Sequence, residues 1–112
     1  MKQRDIVLVP FPFADQSGKK IRPALIVSND KFNQSSDDVI VCAVTSVVKP
    51  SRYSILINKE DIEDGFLYES CSIKVENIFK IKKSLVIKSI ARINKSLLLK
   101  VVDILHILFN PD

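Results

Sequence analysis

The residue of this chain best placed for chemistry is an arginine at the start of an apolar strand. Arg22 lies between a loop that holds one of the two glycines and the apolar run that begins at Pro23. A guanidinium is always charged, and its planar set of N–H donors matches a phosphate group. Because a buried strand has no packing need for a cation, this placement indicates nucleic-acid chemistry. A surface ion pair is the alternative, since exposed arginines commonly form one.

Two hydroxyl side chains interrupt another apolar run. Thr45 and Ser46 lie near the end of residues 39–48, VIVCAVTSVV. A buried hydroxyl without a partner costs free energy, so these groups either bond to the backbone or face a cleft. Both alternatives stay open from the residues alone.

The chain excludes several common catalytic arrangements. His106 is the only histidine, which rules out a ribonuclease mechanism with two histidines. Phosphate-binding glycine loops and the metalloprotease and serine-hydrolase motifs are missing from the sequence. One histidine and two separated cysteines cannot build a standard zinc site, so we expect no metal. Cys42 and Cys71 lie in strand-like runs, where we expect buried free thiols.

Short strands must position these residues. Apolar runs and turn signals predict strands over residues 5–9, 23–27, 39–48, 54–57, 70–78 and 85–93. Between them we expect a loop at 15–20, a polar loop at 29–38, an acidic turn at 59–65 with room for a short helical stretch, and a basic turn at 80–83. The pattern predicts a mainly β domain, a small antiparallel barrel followed by one helix.

The closing helix is predicted from Asn94, a plausible N-cap, to Asn110-Pro111. One face is apolar, formed by Leu97, Val101, Ile104, Leu105 and Leu108, and a narrower stripe is polar, formed by Ser96, Lys100, Asp103 and His106. The breadth of the apolar face fits either burial against the barrel or a subunit contact.

Composition sets the broad class of the protein. With 112 residues, 46% hydrophobic and 27% charged, residues 1–112 fit a single globular domain. The net charge of +4 permits an anionic partner without requiring one. Apolar runs long enough to span a membrane and a signal-peptide pattern are both missing, so we expect a cytoplasmic protein without membrane contact.

Three segments of the chain resemble a known family. Residues 5–29 (DIVLVPFPFADQSGKKIRPALIVSN), then VIVCAVTS, then SCSIKVENIFKIKKSLV resemble, in order, the three conserved blocks of the MazF/PemK toxin endoribonucleases. The likeness covers nearly the whole chain, and the first block is the most specific. It implies an SH3-like barrel of about six to seven strands with a C-terminal helix, a fold shared with the CcdB gyrase toxins. It also implies a homodimer.

The resemblance further implies metal-independent and cofactor-independent cleavage of single-stranded RNA, such as mRNA. In this family the ribose 2′-hydroxyl attacks, the products carry a 2′,3′-cyclic phosphate and a 5′-hydroxyl, and a cognate antitoxin protein blocks the site. The catalytic arginine of the family matches Arg22, and its catalytic threonine or serine matches Thr45. Further substrate contacts fall on Ser46 beside Thr45 and on the first loop, at Ser17, Gly18, Lys19 and Lys20.

Some positions depart from the family or have a second interpretation. Phe13 offers a face for base stacking or packs in the core, and the loop lysines bind phosphates or are only solvated. Where many members have Ile-Arg-Thr, this chain has Ile78-Phe79-Lys80; Lys80 supplies charge there, and Phe79 stacks a base or packs. Arg4 replaces the usual glycine, which we expect to change only the start of the first strand.

Two other functions remain open at this point. The same fold supports a CcdB-like gyrase inhibitor, which binds protein and cuts no RNA. An inactive RNA-binding module is also compatible with the sequence, because a fold does not fix a function.

Overall fold

The computed structural model of this chain describes residues 1–12 and 19–112, apart from the side chains of residues 12 and 19. The strands in this part of the chain are β1 (Asp5–Pro12), β2 (Lys19–Ile26), β3 (Asp38–Thr45), β4 (Ser54–Ile57), β5 (Ile62–Gly65), β6 (Cys71–Lys82) and β7 (Lys88–Ile93). The helices are α1 (Asp30–Ser35) and α2 (Lys95–Phe109), and short 3₁₀ turns cover Lys59–Asp61 and Lys83–Leu85.

The strands form one antiparallel sheet with the order β4-β6-β3-β2-β1-β7-β5, which curls into a half-barrel. The mainly β prediction, a small antiparallel barrel of six to seven strands with a C-terminal helix, is confirmed. β1 and β2 pair with each other, and each also has a second neighbour: β1 pairs with β7, and β2 pairs with β3. The start of β2 is therefore held close to the end of β3.

Apolar clusters cover both faces of the central strands. Leu25 and Cys42 pack on the side of α2, while Ala24, Ile26 and Val41 pack on the opposite side. A strand buried on both faces needs apolar residues at successive positions, which explains the unbroken run in β3. Cys42 and Cys71 are buried free thiols, as predicted.

Helix α2 follows the predicted pattern closely. Asn94 caps it, because its side chain accepts a hydrogen bond of 2.8 Å from the amide of Leu97. Leu97 and Val101 are buried against the sheet, and the predicted polar stripe is exposed. Neither helix in the described residues has the length and apolarity that a membrane crossing requires.

Some predicted boundaries are wrong. The polar loop predicted at 29–38 contains α1, which Asn29 caps by accepting a hydrogen bond of 2.8 Å from the amide of Phe32. Six mostly polar residues are too few to show an apolar periodicity, so no hydrophobic pattern marks this helix. The acidic turn predicted at 59–65 does hold a short helical stretch, the 3₁₀ turn at Lys59–Asp61, but it is followed by β5, which was not predicted.

The strand ends also differ from the prediction. The basic turn expected at 80–83 is wrong, because β6 continues to Lys82 with Phe79 and Ile81 packed in the core. β7 begins only at Lys88, and β3 ends at Thr45 instead of at residue 48. The backbone of residues 19 and 20, predicted as loop, belongs to β2.

Candidate active site

A groove of about 360 Å³ opens where the start of β2, the end of β3 and the first half of β6 meet. It is an open cleft on the surface of the half-barrel, not a sealed cavity. Its lining combines cationic, hydroxyl and apolar side chains: Phe11, Ile21, Arg22, Pro23, Ala43, Val44, Thr45, Ser46, Val47, Glu69, Cys71, Lys74 and Asn77.

Strand register places Arg22 near Thr45 in this groove. β2 and β3 are antiparallel, with Ala24 opposite Ala43. Arg22 lies two residues before Ala24 and Thr45 two residues after Ala43, so each shares the strand face of its partner in that pair, and both line the groove. Arg22 is exposed and Thr45 is half-buried. The two residues to which the resemblance assigns catalysis therefore share one accessible surface.

The hydroxyl of Thr45 is oriented by the chain that follows it. Its Oγ1 accepts a hydrogen bond of 3.1 Å from the amide of Val47. A hydroxyl that accepts one hydrogen bond still has its own O–H to donate. Ser46, which is exposed, adds a second hydroxyl to the same lining. This end of β3 can offer hydrogen-bond donors to an anion held beside Arg22.

A second cation in the groove was missed by the sequence analysis. Lys74 of β6 lies opposite Ala43 of β3, on the face that carries Arg22. Within the described part of the chain, its ammonium forms no ion pair. The available signal was the alternation along β6, since the apolar residues Ile73 and Val75 flank Lys74 and place it on the other face. Asn77 and Glu69 were missed as well.

The remaining walls of the groove are apolar. Ile21 is 52% exposed and Val47 is 62% exposed, so both present hydrocarbon surface to solvent. Phe11 packs edge-to-face on Phe79, with ring centroids 5.1 Å apart. Of the two alternatives for Phe79, the structure favours packing, since the ring contributes to the cluster that lies beneath β1 and β3.

Not every predicted contact residue reaches this groove. Lys80 alternates with the inward-pointing Phe79 and Ile81, and its ammonium lies 3.7 Å from Asp38. Lys20 is exposed on β2 but does not contribute to the lining. The other predicted contacts lie outside the described residues, either entirely or in their side chain: Phe13, Ser17, Gly18 and Lys19.

The thiol at the edge of the groove is held in its neutral form. Burial raises the pKa of the Cys71 thiol above its usual value, and the negative charge of Glu69 raises it further. A neutral thiol is a poor nucleophile and a poor metal ligand. The described residues also contain no group of three or more histidine, cysteine, aspartate or glutamate side chains arranged to hold a metal ion.

Comparison with known families agrees with this geometry. Residues 2–109 match the family described as PemK-like, MazF-like toxin of type II toxin-antitoxin system. The chain belongs to this toxin family. No curated protein sequence matches it significantly.

Solved structures share the fold of this MazF-like toxin at low sequence identity. A MazE-MazF complex from Deinococcus radiodurans superposes with a TM-score of 0.80 at 20% identity, covering 100% of this chain and 98% of the other. An endoribonuclease with its cognate antitoxin from a mycobacterial species gives 0.79 at 17% identity, with coverages of 100% and 98%. The Mycobacterium tuberculosis toxin MazF-mt6 gives 0.78 at 17% identity, with coverages of 97% and 99%.

Proposed function

We propose that this MazF-like toxin is an endoribonuclease that cleaves single-stranded RNA. In the proposed reaction a ribose 2′-hydroxyl attacks the adjacent phosphate, and the products carry a 2′,3′-cyclic phosphate and a 5′-hydroxyl. The observation that carries this proposal is the placement of Arg22 and Thr45 on one face of neighbouring strands, in a single open groove.

Arg22 stabilises the charge that develops during the attack. The five-coordinate phosphorane carries more negative charge on its non-bridging oxygens than the ground-state diester does. A guanidinium fixed beside those oxygens therefore binds the transition state more tightly than the substrate. Arginine stays protonated at neutral pH, so Arg22 acts as an electrostatic group and not as a proton shuttle.

Thr45 and Ser46 hold the scissile phosphate in position. Because the amide of Val47 occupies one acceptor site on the Thr45 hydroxyl, the O–H is directed away from that amide. Donation from this hydroxyl to a phosphate oxygen would fix the phosphorus next to Arg22. Lys74, across Ala43, supplies a second positive charge for the same phosphate or for a neighbouring one.

The lining also supports a single-stranded substrate. In-line attack by the 2′-hydroxyl requires a nucleotide that has left the helical stack, and unpaired RNA provides it at low cost. Exposed Ile21 and Val47 offer apolar surface against which an unstacked base can lie. The substrate provides its own nucleophile in this scheme, so the proposed reaction uses no metal-bound water and no cofactor.

A cleavage assay with analysis of the product ends tests this proposal. We expect the purified chain to cut a long single-stranded transcript in the presence of EDTA. The 3′ ends should resist ligation until a phosphatase active on cyclic phosphates removes the phosphate, and the 5′ ends should accept phosphate from polynucleotide kinase. A substrate with a 2′-deoxynucleotide at the mapped cleavage position should stay intact. RNA left whole by the wild-type protein would contradict the proposal and favour a CcdB-like inhibitor or an inactive binding module.

A cognate antitoxin and a second copy of the chain are the proposed protein partners. The similar structures from Deinococcus radiodurans and from a mycobacterial species are complexes with antitoxins. Leu99, Ile107 and Phe109 of α2 are exposed apolar residues, which supports a homodimer that covers part of this helix. Sedimentation equilibrium should give twice the mass of the 12.7 kDa chain.

An mRNA-cleaving toxin would act in the cytoplasm, where translation takes place.

A further inference from the structure

The proposed cleavage requires a group that accepts the proton of the ribose 2′-hydroxyl. Arg22 and Lys74 carry cationic side chains that donate hydrogen bonds and accept none, and the Thr45 hydroxyl serves as a donor. His106, the only histidine of the sequence, is exposed on α2 and does not line the groove. None of these groups provides the base.

One carboxylate lines the groove among the described residues. Glu69 lies two residues before β6, in the segment that connects β5 to β6, and it lines the groove. Its backbone carbonyl accepts a hydrogen bond of 3.4 Å from the thiol of Cys71, which ties the residue to the start of β6. Glu69 and Cys71 line the same groove, and the negative charge of Glu69 adds to the raised pKa of that thiol.

The carboxylate of Glu69 is available to a substrate. Glu69 is exposed, and among the described residues its side chain forms no ion pair. The other exposed carboxylate of this region, Glu76, lies in the β6 bulge and does not line the groove. A glutamate with a purely structural role would instead form an ion pair with a cationic side chain or accept a hydrogen bond from an amide.

We infer that Glu69 is the general base of this toxin, an inference that rests on the proposed ribonuclease activity. The carboxylate takes the proton from the ribose 2′-hydroxyl as the 2′-oxygen forms its bond to phosphorus. The bond between phosphorus and the 5′-oxygen breaks, and that oxygen takes a proton from water to become the new 5′-hydroxyl. The hydroxide formed in this way then removes the proton from Glu69, and the enzyme is restored. Arg22 and Lys74 neutralise the phosphate charge throughout.

Other charged and titratable groups surround the carboxylate and must be considered in any pH measurement. From the groove they are Arg22 of β2 and Cys71 and Lys74 of β6. Glu69 also borders a second cavity, of about 620 Å³, to which Lys59 and Tyr68 contribute. Burial and the charge of Glu69 raise the pKa of the Cys71 thiol above its usual value, so changes of rate between pH 5 and 8 do not come from that thiol.

The test is the pH dependence of the single-turnover cleavage rate on a short RNA with one mapped site. We expect the wild-type rate to reach a plateau before neutral pH, because an ionised carboxylate no longer gains from a rise in pH. In Glu69→Gln, solvent hydroxide must take the proton, so the rate at pH 7 should fall about 100- to 10,000-fold and then rise tenfold per pH unit. In Glu69→Ala, added formate should restore part of the plateau.

Matched variants keep the inference falsifiable. Glu60→Gln removes an exposed carboxylate that does not line the groove and should leave the wild-type profile unchanged, and Glu69→Asp should retain a plateau at a reduced rate. If the plateau persists in Glu69→Gln, the assignment is overturned. It is also overturned if Glu76→Gln loses the plateau while Glu69→Gln keeps it. If the wild-type protein produces no 2′,3′-cyclic phosphate ends, the proposed function itself fails, which is a separate outcome. Circular dichroism on each variant shows whether the fold is retained.

Discussion

The hydroxyl oxygen of Thr45 lies 3.1 Å from the amide nitrogen of Val47, which donates a hydrogen bond to it. This contact fixes the oxygen at the open end of β3 and leaves the O–H to bind a phosphate. We expect Thr45→Val to lower the single-turnover rate about 100- to 1,000-fold, the usual effect of removing one donor from an oxyanion site. The Val47 amide is exposed, so water replaces its lost acceptor and the fold should be retained.

Thr45→Ser is the matched control for this prediction, because it keeps the hydroxyl and loses only a methyl group. Its rate should stay within about tenfold of the wild-type rate, since serine loses only side-chain order. Equal rates for Thr45→Val and the wild-type protein would remove Thr45 from the mechanism.

Substitution of Arg22 should lower the cleavage rate more than substitution of any other described residue that lines the groove. In Arg22→Ala the charge on the phosphorane has no guanidinium beside it, and we expect cleavage to fall below detection while the thermal unfolding curve stays close to that of the wild-type protein. Arg22→Lys keeps the charge but loses the planar donor geometry, so its rate should lie between the two. The control is Arg52→Ala, which removes an exposed arginine outside the groove. Activity retained in Arg22→Ala would contradict its assigned role.

Lys74 offers a test of phosphate binding that is independent of chemistry. With a 2′-deoxy oligonucleotide that cannot be cut, log Kd should depend linearly on log salt concentration. Each phosphate contact on single-stranded nucleic acid contributes about 0.7 to that slope. Lys74→Ala should therefore weaken binding and reduce the slope by about 0.7. Lys82→Ala, an exposed lysine elsewhere on β6, should not change it. An unchanged slope in Lys74→Ala would exclude a phosphate contact.

The sequence was sufficient to predict the strands and residues that depend on local patterns. The apolar run in β3 and the cap of α2 at Asn94 are properties of neighbouring residues, and so both were predicted. The placement of Thr45 near the end of an apolar run is local as well, whereas Arg22 lies inside β2 and not at its start, because the strand already begins at Lys19. Their proximity in space follows from antiparallel pairing, which a pattern of short strands already suggests.

The residues that were missed depend on non-local geometry. In the β3–β6 pairing, Cys42 faces Ile78 and Ala43 faces Lys74, so β6 holds a bulge between these two pairs. No sequence pattern marks that bulge, and the bulge decides that Lys74 and Phe79 lie on the same face. β5 was read as a turn because it is short and ends at Gly65. That glycine has φ +74°, and a Cβ there would collide with the backbone of Ile90.

The buried thiol of Cys42 should make the protein less stable in alkali. Burial raises its pKa from 9.0 to about 12, and the charge of Glu76 adds to this shift. Above about pH 9 the unfolded chain has released the proton while the folded chain retains it. The free energy of unfolding should therefore fall by about 1.4 kcal/mol per pH unit until the folded thiol ionises. Urea unfolding between pH 8 and 10.5, with a reducing agent present, measures this slope.

Cys42→Ala is the comparison for that measurement. The smaller side chain lowers stability at every pH through lost packing, but it removes one titrating thiol, so the alkaline slope should become shallower. Cys71, whose pKa is also raised by burial, remains in both proteins and contributes equally to their slopes. Identical slopes would show that the Cys42 thiol is not the group that titrates.

Arg4 occupies a backbone conformation that favours glycine. Its φ is +82°, and its guanidinium donates hydrogen bonds of 3.1 Å to Glu63 and 3.2 Å to the carbonyl of Ile93. Arg4→Ala and Arg4→Gly both lose these hydrogen bonds, but only alanine keeps a Cβ in the left-handed region. We expect Arg4→Ala to be the less stable variant by about 1 kcal/mol in urea unfolding. At Ser89, an exposed position in β7, the order should reverse, because glycine weakens an ordinary strand. The same order at both positions would mean that Arg4 is not strained, and that its side-chain contacts alone account for its effect on stability.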